Sequence, residues 1–114
     1  MRLFDKGMDI TRNIKVIEWF KSELLANVAN LFKILVDGMK EEIHDELADT
    51  LSGIILISYL LGRRLGISYN AVEIKMRNKI RLGLLESNIA DKDYEDLDEL
   101  SRHLDSSRSG DDNE

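Results

Sequence analysis

The 114-residue chain contains no cysteine and no proline, and only seven glycines. The missing thiols exclude disulfides, thiolate zinc sites and cysteine nucleophiles, and they make a cytoplasmic setting the expectation. Without proline, helices can run long, and glycine becomes the natural stop signal. Positive charge is in deficit. Sixteen Lys and Arg face 22 Asp and Glu, a formal net of −6, which argues against a nucleic-acid polymer as partner because neutralising phosphates needs a basic surface. Long apolar runs are also absent. The most apolar stretch, Leu51 to Leu61, closes on Gly62-Arg63-Arg64; as a helix it rises about 16 Å, roughly half the ~30 Å hydrocarbon core of a bilayer. The start, Met1-Arg2-Leu3-Phe4-Asp5, meets an acid too early for a secretory signal. No membrane partner is expected.

What is present is helical patterning, with 43% apolar residues, enough for one small core. Asp9 or Thr11 can cap a first helix to about Phe20, with Ile10, Ile14, Ile17 and Trp19 or Phe20 at helical spacing. Ser22 either restarts or continues it. A second helix is predicted over Leu24 to Val36, with Leu24, Leu25, Val28, Leu31, Phe32 and Leu35 inward, ended by Asp37-Gly38. A third runs from about Met39 to Leu61. Its first half is acidic and amphipathic, with Ile43 and Leu47 inward; its second half is apolar on nearly every side and needs cover on two sides, which predicts a partner subunit. After the basic turn between Gly62 and Gly66, Ser68 caps a fourth helix lined by Val72, Met76 and Ile80 to about Leu85.

The charge is unevenly placed. Residues 87 to 114 hold ten acids against Lys92, Arg102 and Arg108, a net of −7, so the rest of the chain is nearly neutral. A short helix fits Tyr94 to Leu104, where Leu97, Leu100 and Leu104 recur, but the Ser, Asp and Gly ending reads as disorder. The expected organisation is a flexible N-terminus over 1–8, a helical domain over 9–86 and an acidic, largely disordered tail over 87–114. The expected fold is an all-α, antiparallel four-helix bundle in a homo-oligomer.

The densest chemical signal is Lys40-Glu41-Glu42-Ile43-His44-Asp45-Glu46-Leu47-Ala48-Asp49. Glu42, Glu46 and Asp49 stand at i, i+4, i+7 on one helical face, with Asp45 one turn from Asp49. Like charges so spaced repel, and either solvent or a cation must offset them; magnesium, with its preference for oxygen ligands and retained waters, suits such a place. Glu41-x-x-His44 matches one half of a di-iron carboxylate motif, but the only other histidine, His103, lacks a Glu three residues earlier. His44 is therefore read as an exposed helix residue. Downstream, Lys75, Asn78 and Arg81 fall at i, i+3, i+6 and can hold phosphate oxygens, or form an ordinary solvated stripe. Trp19 and Tyr69 can stack a base, although Trp19 among Ile and Leu reads first as core.

Glu46-Leu47-Ala48-Asp49, the long apolar helix after it, and Lys75-Met76-Arg77-Asn78-Lys79-Ile80-Arg81 resemble the MazG family of all-α nucleoside triphosphate pyrophosphohydrolases. The resemblance covers about residues 20 to 86. It implies a homodimer or homotetramer whose four carboxylates bind magnesium (or manganese), while water attacks a bound nucleoside triphosphate to release monophosphate and pyrophosphate. Glu46 and Asp49 would then be metal ligands, with Asp45 beside them and Glu42 and Glu46 in catalytic roles. Lys75, Asn78 and Arg81 would orient the phosphates.

One departure stands out. The family's first Glu-x-x-Glu pair falls in register on Asn27-Val28-Ala29-Asn30. An Asn can offer metal a neutral oxygen, but it brings no charge and cannot serve as a general base. Two roles are open to Asn27 and Asn30, metal ligation and hydrogen bonding across the bundle. Three functions are open: first the hydrolase; then a catalytically degenerate relative that binds nucleotide or a protein partner as a helical regulatory module; and last a purely structural bundle with the apolar Ile54 to Leu61 segment as an assembly surface and the tail as a recruiting peptide.

Overall fold

The computed structural model describes residues 3–38, 41–87 and 92–112. It contains four α-helices: α1 Leu3–Asp37, α2 His44–Arg64, α3 Tyr69–Glu86 and α4 Lys92–Asp112. A 3₁₀ turn, Glu41–Ile43, leads into α2, and there is no strand among the described residues. The expected helix start at Met39 and the tail acid Asp91 lie outside the described residues. The chain divides into two units, residues 1–69 and 70–114.

In the first unit, the two helices expected over 9–20 and 24–36 are one helix of 35 residues. Neither Asp9 nor Thr11 caps a start there, because the helix is already under way at Leu3. Ser22 does not interrupt it, since a serine pointing into solvent costs an α-helix only a few tenths of a kcal/mol. The continuous helix also fixes a different inward line. Ile34 is buried, whereas Leu25, Phe32 and Leu35, expected inside, are exposed, and so is Trp19 at 59%.

α1 and α2 run antiparallel. Asn13 reaches the Arg64 carbonyl, Asn27 lies over Gly53 and Asn30 bonds Thr50, so numbers rise on one helix as they fall on the other. Ile34, Leu47 and Ile57 are the buried aliphatics of this unit, with Thr50 the one buried polar side chain among the described residues. Gly62 lies inside α2 and is buried. The helix ends beyond it, where Gly66 takes φ +86° and its backbone N–H bonds the Arg63 carbonyl while Ile67 N–H bonds the Gly62 carbonyl. A side chain at that φ is strained even though no neighbour crowds the position. Gly66→Ala is expected to cost about 1 kcal/mol, a drop of several degrees in a thermal melt.

In the second unit α3 and α4 are antiparallel. Arg77 donates to Asp105 at 2.6 Å and to Glu73 at 3.2 Å, and Leu97 packs where a Cβ on Gly83 would sit. The Asp105 bond, and then the Glu73 bond, raise the Arg77 pKa further above its already high value. Ile80 is buried and Val72 and Met76 are half-buried, as their spacing predicts. The tail helix is longer than the short segment expected over 94–104. Leu97 and Leu104 turn inward, Arg102 pairs with Asp98 one turn back, and Asp105 holds Arg77. These contacts offset the self-repulsion of the acids that made the tail read as disordered.

Candidate functional site

The two halves of the expected site belong to different units: the Asn and acidic positions to the first, the basic ones to the second. On α1, Asn27 and Asn30 sit on the side that faces α2. Asn27 Nδ2 donates to the Glu23 carbonyl at 3.0 Å, and its amide group lies over Gly53, where an added Cβ would come to 3.5 Å. Asn30 Nδ2 donates across to Thr50 Oγ1 at 3.1 Å, and that hydroxyl donates in turn to the Glu46 carbonyl at 2.9 Å. Asn30, Thr50 and the Glu46 backbone thus form a short chain of hydrogen bonds joining the helices. Through Nδ2, Asn30 bonds across the helices and Asn27 within its own helix, and neither bond engages the Oδ1 atom that could ligate a metal.

Thr50 is the residue that sequence reading missed. It is 4% exposed, and the available signal is a hydroxyl four residues after Glu46, where a threonine can bond back to the i−4 carbonyl. Thr50→Val keeps the shape and removes both bonds. It is expected to cost about 1 kcal/mol, read as a lower melting temperature that Thr50→Ser largely restores.

The carboxylates are arranged more loosely than the i, i+4, i+7 face predicts. Glu42 lies in the 3₁₀ turn and not in α2, because Ile43 at φ −94°, ψ −3° marks the entry to the α-helix and no side chain caps it. The two helix types have different pitch, so Glu42 leaves the face of Glu46 and Asp49. Glu42, Asp45, Glu46 and Asp49 are all exposed, and His44 is exposed as expected. Asp45 and Glu46 occupy the first turn of α2, where their charge complements the helix dipole. Glu46 also lines a small cleft of about 110 Å³ with Asn30, Lys33, Ile34, Asp37 and Ile43. Among the described residues no three acids or histidines stand close enough to hold a metal ion. Tested as magnesium ligands, the residues of this chain differ from a four-carboxylate centre: three exposed acids, Asp45, Glu46 and Asp49, stand on α2, and the two α1 positions are neutral amides that bring no charge.

On α3, Lys75, Asn78 and Arg81 are exposed. Arg81 lines a cleft of about 210 Å³ with Arg77, Ile80, Leu84, Ser101 and Leu104. Lys75 and Asn78 do not join it.

The described residues include no helix long and apolar enough to cross a membrane. Comparison with curated proteins and with solved structures finds no match. The model of the MazG-like family matches residues 10–97, from within α1 through α2 and α3 and into the first part of α4. By that match over most of its length, the chain belongs to the MazG-like family.

Proposed function

We propose that this MazG-like chain acts by association and not by hydrolysis, as a helical module that packs against a second copy of itself. The observation that carries the first half is the Asn30–Thr50–Glu46 hydrogen-bond chain. It engages the amide of a position at which the resembling enzymes present a carboxylate, and neither Asn27 nor Asn30 can take a proton from water. The family's metal chemistry would have to rest on the α2 acids, Glu46, Asp49 and Asp45.

The second half follows from α1, which is apolar on two opposite sides. At 100° per residue, Ile14, Leu25, Phe32 and Val36 fall within about 40° of one another and roughly opposite Ile34 and Asn27. They are exposed, Leu25 by 72%, Phe32 by 65% and Val36 by 85%. On α2, Leu51, Ile55 and Leu56 are exposed as well. A water-facing apolar stripe of this size is what a subunit interface covers, and the chain's own stripe is complementary to itself in chemistry, being uncharged from Leu25 to Phe32 along its centre. A homodimer or homotetramer is the expected state.

Two measurements test the proposal. Light scattering at micromolar concentration should give a mass of at least two chains, falling in Phe32→Glu; a strict monomer would overturn the association. Pyrophosphate release from the common nucleoside triphosphates with magnesium should stay at the protein-free rate. Turnover that disappears in Glu46→Gln would instead establish the hydrolase, with Glu46, Asp49 and Asp45 as its metal ligands and Lys75, Asn78 and Arg81 as its phosphate group.

A further inference from the structure

The far end of the first unit carries a cleft that none of the expected metal or phosphate residues lines. It measures about 780 Å³ and is bordered by Asn13 and Phe20 of α1, Leu60, Arg63 and Arg64 of α2, and Tyr69. From Asp49 to Arg64 the rise along α2 is roughly 22 Å, so this is a separate place from the acidic positions. No lining residue is acidic. The volume falls within the usual range of small-molecule sites.

The arginines are the informative part. Basic residues in the last turn of a helix often serve only to bond its terminal carbonyls. Here those carbonyls are already taken: Leu61 and Gly62 by Leu65 N–H, Gly62 also by Ile67 N–H, Arg63 by Gly66 N–H and Arg64 by Asn13 Nδ2 at 2.8 Å. Neither guanidinium has a hydrogen-bond or ion-pair partner among the described residues. Two adjacent cations are thus presented without a counter-charge, at a helix end whose capping is complete. The aromatic rings beside them are positioned as well. Tyr69 meets Tyr59 edge-on at 6.1 Å, and Phe20 contacts Trp19 at 5.3 Å.

We propose that this cleft is a metal-independent site for a phosphate ester carried on a planar ring, of the nucleoside monophosphate class. Arg63 and Arg64 hold the phosphate through charge-assisted hydrogen bonds, and the ring lies against Tyr69 and Phe20. The acids of α2 take no part, so the site does not depend on whether the chain hydrolyses anything.

The test is calorimetric titration of the full chain with adenosine monophosphate in EDTA at low salt. Saturable binding is expected, weakened about tenfold or more in Arg63→Gln/Arg64→Gln and in Tyr69→Ala, and kept in Tyr69→Phe and Glu46→Gln. Circular dichroism of each variant checks its fold, and all the altered side chains are exposed. Inorganic phosphate and adenosine are the part-ligand probes, and each should bind more weakly than the ester. Absence of binding, binding that survives the double arginine change, or binding that needs magnesium and Glu46 would overturn the proposal. Phosphate alone binding as tightly as the ester would overturn the role of the ring, and adenosine alone doing so would overturn that of the arginines.

Discussion

Ile34→Ala is expected to lower the stability of the first unit by about 3 kcal/mol, which for a unit of this size is a fall of roughly 12–24 °C in melting temperature. Ile34 is 6% exposed, and among the described residues of the α1–α2 pair only Leu47 and Ile57 share its burial as apolar side chains. Removing one of three core aliphatics therefore takes away a large share of the packing that joins the helices. The site has little scope to collapse around the loss, because Ile34 already borders the cleft it shares with Ile43 and Glu46, and a void that stays open adds its own penalty to the lost transfer energy. Thermal unfolding followed by circular dichroism, at one fixed protein concentration, checks the figure. A shift of only a few degrees would mean that the helices are held mainly through contacts outside their own interface.

The double change Asn27→Glu/Asn30→Glu should have the next largest effect, and its sign depends on metal. In EDTA the variant loses the Asn30–Thr50 bond, leaving the Thr50 hydroxyl without its partner from α1, and it sets two new carboxylates at i, i+3 near Glu46. The lost bond costs about 1 kcal/mol and like-charge repulsion adds roughly 0.5–1 kcal/mol. Magnesium reverses the balance, because a cation that binds only the folded chain stabilises it by about 2.7 kcal/mol at a hundred times its dissociation constant. The expected result is a variant that melts below the parent in EDTA and regains the difference in millimolar magnesium, while the parent is unmoved. Failure to gain any metal dependence would show that the two helices do not bring positions 27 and 30 within ligating reach of Glu46 and Asp49.

Much of the fold is legible in the sequence, and the exceptions have physical causes. The lack of proline and the placing of Gly38 and Gly66 mark where helices stop, and both glycines adopt positive φ there. Ile80, Leu47 and the apolar second half of α2 follow from spacing. The inward side of α1 does not, because its contact line runs through Asn27, Asn30 and Ile34 while a stripe of larger apolar residues faces out. A periodicity argument picks the more hydrophobic side, and here that side faces out, where the proposed self-association would cover it. The tail helix was obscured for a different reason. Net charge argues for disorder on average, whereas specific pairs such as Asp98–Arg102 and Asp105–Arg77 act locally.

The candidate site divides the same way. Motif register alone places Asn27 and Asn30 opposite the acidic helix, and the structure puts them there. Register does not say what an amide side chain will bond. That was decided by Thr50, whose hydroxyl is available only because it is buried on the α2 side that meets Asn30.

The short connection between α1 and α2 also governs the order of events in folding. The Asn30–Thr50 bond joins residues only 20 apart, so the entropy of closing that loop is small and the helix pair can form quickly from local contacts. In the proposed oligomer the outward stripe of Leu25, Phe32 and Val36 is covered only when a second molecule docks. Docking is concentration-dependent, so dilution would slow that step and lengthen the time for which the stripe faces water.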